Sequence, residues 1–182
     1  MFATLCRVSL QLLLLAYPFY IWWAVQHWHP ALAIAPVAVL AALKALFGSN
    51  TAGQRGFFLF SAGLLVLAML LGQAEKAMLY YPVWINAGML LLFGWSLCYP
   101  PTVIERLARL MEGELDDKGV IYTRNVTAVW CVFFIFNGSI AAFTAWYGDW
   151  DLWLWYNGLI AYLLMGLLML AEWLVRRRVR AS

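Results

Sequence analysis

The chain has 182 residues, of which 65% are hydrophobic, 17% aromatic and only 12% charged. A soluble domain carries roughly 25% charged residues, so this composition excludes an ordinary soluble protein and leaves no length for a separate soluble domain. The net charge of +3 comes from basic residues spread over the ends of apolar blocks. That placement points to lipid headgroups and not to nucleic acid.

A helix needs about 20 apolar residues to cross the hydrocarbon core. Six blocks approach that length, at approximately 8–25, 31–47, 57–71, 83–98, 126–147 and 152–175. The expected fold is all-α: one polytopic membrane domain, 1–182, with six transmembrane helices. Lys and Arg alternate across the blocks. Arg7, Lys44, Arg55, Arg106, Arg109, Lys118, Arg124, Arg176, Arg177, Arg178 and Arg180 fall on one side, and Lys76 alone on the other. Short basic loops stay in the cytoplasm, which predicts that both termini are cytoplasmic.

Taken in chain order, Arg7 before an apolar run has the look of a signal peptide. No A-x-A site closes it, and a second span begins at Ala31, so a retained helix is expected. No lipobox pattern precedes Cys6. Cys6, Cys98 and Cys131 are odd in number, lie toward cytoplasmic helix ends and form no CxxC, which predicts free thiols. His27 and His29 flank Trp28 at the first outer turn. Two imidazoles can begin a metal site, but no acidic or thiol partner is near in sequence and a catalytic zinc takes three protein ligands, so no metal is expected. The third block is short. Its helix is expected to run on toward Tyr80, carrying Gln73, Glu75 and Lys76 into the outer interface.

Trp22, Trp23, Trp28, Trp84, Trp146, Trp150, Trp153 and Trp155 fall at expected outer ends, whereas Trp95, Trp130 and Trp173 lie nearer the inner face. Either a sugar- or base-stacking platform or an interfacial belt would place them so, and amphipathic rings at headgroup level favour the belt.

The one long loop is 99–125. Thr102 with Glu105 fits a capping box. Val103, Ile104, Leu107, Leu110, Met111 and Leu115 then share one helical face, and Glu105, Arg106, Arg109 and Glu112 the other. A short amphipathic helix over 102–115, between the fourth and fifth spans, is expected to lie on the inner leaflet. Asp116-Asp117-Lys118-Gly119 reads as a turn leading back into the membrane.

Polar groups within the spans are costly and need a reason. Asn86, Asn137 and Asn157 are expected to face the bundle and hydrogen-bond between helices. Gly138 and Ala142 form a small-xxx-small step for close packing. Glu172 has two readings, an i,i+4 partner for Arg176 or a proton or substrate site. No GxSxG, HExxH, P-loop or supported GxGxxG is present, so no catalytic residue and no cofactor is assigned. Glu105, Arg106, Tyr122, Arg124, Asn125 and Glu172 collect at one membrane face. Guanidinium groups suit phosphate or carboxylate, which makes this face a candidate for binding an anionic headgroup, an acidic carrier protein or an acidic partner segment. Plain positive-inside anchoring explains the same residues.

Tyr122-Thr123-Arg124-Asn125-Val126-Thr127, followed by Trp130, Phe133-Phe134 and Asn137, is a further pattern. Pro82 opens a span before it, Glu105-Arg106 follows that span, and an aromatic outer loop lies near Trp150. Over roughly residues 70–175 the chain resembles the intracellular septation protein A family. It resembles more closely the small membrane proteins encoded in aryl-polyene and related fatty-acid-like gene clusters, a group similar to that family. The resemblance implies an accessory protein of the bacterial inner membrane that helps make, hold or pass on a lipid-linked acyl product. Its implied partners are membrane lipid and other inner-membrane or acyl-carrier-linked proteins.

Three functions remain open at this point: a non-enzymatic envelope scaffold, a carrier or flippase-like protein, and a lipid-modifying enzyme using Glu172 or the Arg106/Arg124 face. Topology is testable directly. Reporter fusions after Ser182 and within the Gly148–Asp151 loop should report opposite sides of the membrane. The same side for both would break the six-span count.

Overall fold

A computed structural model describes residues 17–28, 30–47 and 52–181. All regular structure among them is helical: α1 (Tyr17–His27), α2 (Pro30–Phe47), α3 (Ala52–Leu70), α4 (Ala74–Cys98), α5 (Val103–Glu112), α6 (Asp117–Tyr147), α7 (Trp150–Leu154), a π turn (Trp155–Ile160) and α8 (Ala161–Ala181). Among the described residues, three continuous helical stretches are long and apolar enough to cross a membrane: Ala74–Cys98, Asp117–Tyr147 and Trp150–Arg177. At about 1.5 Å per residue, the 25 residues of α4 reach about 37 Å, enough for the roughly 30 Å hydrocarbon core with some tilt. The described residues are thus all-α, with three full-length candidate membrane spans. α2 and α3 fall on the second and third expected spans with shorter apolar stretches, Ala35–Leu46 and Arg55–Leu70. Half of the expected span 8–25 lies outside the described residues, as do Cys6 and His29.

Two boundaries differ from expectation. The third block does not run on toward Tyr80. α3 ends at Leu70, and a new helix opens at Ala74. Gly72 stands at φ +67°, its N–H reaching Met69 O at 3.2 Å while Gln73 N–H reaches Ala68 O at 2.8 Å. This paired closure is a Schellman motif, whose left-handed residue a glycine adopts without steric penalty. Glu75 then sits in the first turn of α4, where a carboxylate favours the positive end of the helix dipole.

The second difference concerns 116–119, expected as a turn. Asp116 instead caps α6, its carboxylate accepting from Gly119 N–H at 2.8 Å, and Asp117–Gly119 form the first helical turn. α6 therefore starts well before the apolar run that begins at Val126. Between these spans, α5 stops at Gly113 (φ +83°), which leaves Leu115 outside the amphipathic helix.

The chain forms two compact units. One comprises the chain up to Tyr81 with Thr144–Ile160, the other Pro82–Phe143 with the chain from Ala161. In the first, α2 and α3 pack against each other, Arg55 Nε donates to Ala45 O at 3.0 Å, and Lys44 lies 4.9 Å from the Phe58 ring centroid. The core gathers Ala24, Val37, Leu65, Met78, Leu79, Ala145 and Trp153, with Tyr20, Tyr81 and Trp150 against it. Trp153, expected in an interfacial belt, is fully buried. Its indole N–H donates to Leu79 O at 2.9 Å, so the ring serves the core and not the interface.

In the second unit, buried Phe93 packs edge-on against buried Phe134, ring centroids 5.2 Å apart, with Trp130 beside both. Thr127 and Ser139 return their hydroxyls to the carbonyls four residues back, the usual way such groups are satisfied inside an apolar helix.

The Schellman glycine yields a stability test. A Cβ at Gly72 would meet nothing within 4 Å, so Gly72→Ala imposes backbone strain alone, about 1–2 kcal/mol for a left-handed L-residue. Thermal unfolding in detergent should show a lowered midpoint for Gly72→Ala. Gly94→Ala, equally uncrowded and inside a helix, should hold or raise it.

Candidate functional site

The residues with chemical potential lie in three settings. The first is the pair of asparagines in the second unit. Asn86 sits one turn after Pro82, which has no N–H to offer the helix. Its amide donates to Pro82 O at 2.8 Å. The remaining amide oxygen accepts from Asn137 Nδ2 at 3.0 Å. Both side chains are buried. The approach is close because residue 138 has no side chain: a Cβ on Gly138 would stand 3.0 Å from Asn86 Cβ. The small residue expected to favour tight packing thus faces the amide pair itself.

Asn157 works differently. It lies in the first unit, inside the π turn, and donates to Thr144 Oγ1 at 3.1 Å and to Trp153 O at 3.0 Å. Backbone N–H groups of a π turn reach five residues back, and here the side-chain amide takes the carbonyl four residues back. No sequence pattern marked Thr144 as the partner, because a threonine in an apolar run reads as an ordinary span residue.

The second setting is the tryptophan-rich part of the first unit. Trp22 Nε1 donates to Asp151 at 3.0 Å and Trp150 Nε1 to Glu75 at 3.3 Å. Asp149 caps α7 by accepting from Leu152 N–H at 2.7 Å. These acids therefore hold indoles and a helix start. The Tyr20 hydroxyl is the one buried side-chain polar atom among the described residues without a hydrogen-bond partner. His27 stacks on Trp23, ring centroids 4.7 Å apart. Among the described residues no three His, Cys, Asp or Glu side chains gather as metal ligands.

The third setting is the candidate anion- or partner-binding face, whose six residues all fall in the second unit. Tyr122 is brought to Glu172: its hydroxyl lies 3.3 Å from Glu172 O and 3.4 Å from Oε1. Arg176 stands within electrostatic range of the same hydroxyl. Arg177 stacks over Trp173, 4.3 Å from its ring centroid. Arg124 and Asn125 are exposed. Because α6 is already helical at residue 117, Arg124 projects about 200° around the helix from Tyr122. The two neighbours in sequence thus occupy nearly opposite faces.

Glu105 is likewise committed within α5. Its carboxylate accepts from Thr102 N–H at 3.3 Å and from Arg109 Nε and Nη2 at 3.0 and 2.8 Å, and the residue is only 4% exposed. Arg106 is exposed, with Nε on Pro101 O at 2.8 Å. The six residues therefore divide into a Tyr122–Glu172 contact, the α5 cap, and an exposed Arg124–Asn125 step.

Comparison with protein-family models, with curated proteins and with solved structures finds no match to this chain.

The amide pair gives a quantitative expectation. Interhelical hydrogen bonds in membranes contribute about 0.6 kcal/mol on average and at most about 1.7. A double-mutant cycle of Asn86→Ala and Asn137→Ala, read by reversible unfolding in mixed micelles, should give a coupling in that range. Additive effects would mean the contact contributes nothing.

Proposed function

We propose that this chain is a non-enzymatic, multi-pass accessory protein of a bacterial inner membrane, with both termini cytoplasmic, that scaffolds partner proteins engaged with a lipid-like acyl product. The observation that carries this reading is how the buried amides are spent. Asn86 is held by Asn137 and Pro82, and Asn157 by Thr144 and Trp153. Within its own unit, each of these amides is committed to a contact with neighbouring protein groups. Meanwhile the long helices present apolar surface outward, including Leu91, Val132, Phe136, Leu163 and Leu167. Such faces can meet lipid or the apolar faces of other spans. The link to an acyl product rests on the family resemblance alone.

The discriminating experiment is purification of the full chain from its native membrane in mild detergent. The expected result is recovery of inner-membrane or acyl-carrier-linked proteins in fixed proportion. A single defined lipid with no protein would replace the scaffold with a carrier. Turnover of added acyl-carrier protein would make the chain an enzyme and overturn the proposal.

A further inference from the structure

α5 is expected from its sequence to carry one apolar and one polar face. Which face meets the protein is not obvious, and the usual arrangement puts the apolar face inward. Here the side turned to the protein is the one that carries Glu105 and Ala108, while Arg106 and Arg109 stay exposed. Leu107, Leu110 and Met111 are 54, 85 and 70% exposed, while Glu105 and Ala108 are 4 and 2% exposed. At about 100° per residue, the three exposed side chains share one sector, with Glu105 across the helix from it and Ala108 to one side.

Glu105 can face the protein because its needs are met locally. Glu105 receives the Thr102 and Arg109 donors. The first helical N–H, that of Val103, reaches Ser96 Oγ on α4 at 3.1 Å, and Ser96 in turn donates to Phe93 O at 2.7 Å. A charge that arrives already paired costs far less to bury than a bare one. With that side occupied, the apolar sector is left facing outward.

What covers it follows from where α5 begins. Trp95 and Tyr99 stack at the end of α4, centroids 4.5 Å apart, and both are exposed. Amphipathic rings at the end of a span mark the headgroup level. The chain enters α5 four residues after Tyr99, and after α5 it re-enters a candidate span at Asp117. The start of α5 is therefore held near the level of these rings. Arg106 borders the apolar sector and is exposed, the position from which its guanidinium reaches the headgroups while the stem lies against acyl chains.

We propose that α5 is an interfacial membrane helix turned by Glu105 so that Leu107, Leu110 and Met111 enter the acyl region of the adjoining leaflet. An apolar helix face in this situation sits about 5–10 Å into the headgroup–acyl boundary. This surface binds lipid and does not depend on the scaffold reading, which could fail without affecting it.

The test uses the full chain in nanodiscs of phosphatidylglycerol and phosphatidylcholine, with a nitroxide label at Leu110→Cys or at Glu114→Cys in a cysteine-free background. The label at 110 should collide with oxygen several-fold more than with a water-soluble nickel complex. The label at 114 should show the opposite preference. Nickel access at 110 would overturn the proposal. Protection from both reagents would overturn it too, because it would mean that a second copy or a partner protein covers the sector. If the cysteine-free chain does not fold, a genetically encoded environment-sensitive fluorophore at 110 in the wild-type chain reads the same outcomes. Blue-shifted emission quenched by lipids carrying doxyl groups near the headgroup is expected, and water-like emission overturns the idea. Glu105→Gln keeps the size of the side chain but weakens the Arg109 pair. It should reduce the lipid signal at 110, a change that α5 held by apolar contacts alone would not show.

Discussion

A polar atom in hydrocarbon must find its partner within the protein, because no water is there to supply one. For the backbone this leaves helices or closed barrels, and all regular structure described here is helical. For side chains it means that an amide or hydroxyl in a span becomes a fastening. Asn86 and Asn137 satisfy each other across two helices, and Thr127 and Ser139 satisfy themselves against their own turns. The difference between the two solutions is reach. A hydroxyl on a short stem returns to the carbonyl four residues back, whereas an amide has donors to spare for a second helix.

The same constraint explains which parts of the fold were legible in the sequence. Apolar length reports how deep a segment can lie in a membrane, and it located the long helices well. It does not report where a helix starts. Both α4 and α6 begin in polar stretches, at Ala74 and Asp117, because Glu75 and Asp117 suit a helix N-terminus even though they break an apolar run. Local signals with their own chemistry fared better. Thr102 and Glu105 form the capping box that their spacing predicts, since that motif is closed by residues three apart and needs nothing else.

Contacts between distant residues were not legible. The pattern gave three polar asparagines but not that two would pair with each other while the third took Thr144. It grouped Tyr122 and Arg124 as neighbours, and the early start of α6 sends them to different sides of a helix. Tryptophan misleads in a related way. Its ring fits equally an interfacial belt and a packed core, and the deciding fact, that Trp153 finds a carbonyl at Leu79, depends on a residue 74 positions away.

That separation has a consequence for how the protein is made. The contacts that shape α5 lie within a single helical turn or two, so this helix can take its final form as soon as it leaves the ribosome. The first unit has no such freedom. Its core is completed by Ala145 and Trp153, which are synthesised after α4, α5 and almost all of α6. Until then that part of the first unit's interior is unfilled. A segment made late, 144–160, therefore closes the first unit, and a chain truncated before Trp153 would lose part of the core around Leu65 and Met78, far back in the sequence.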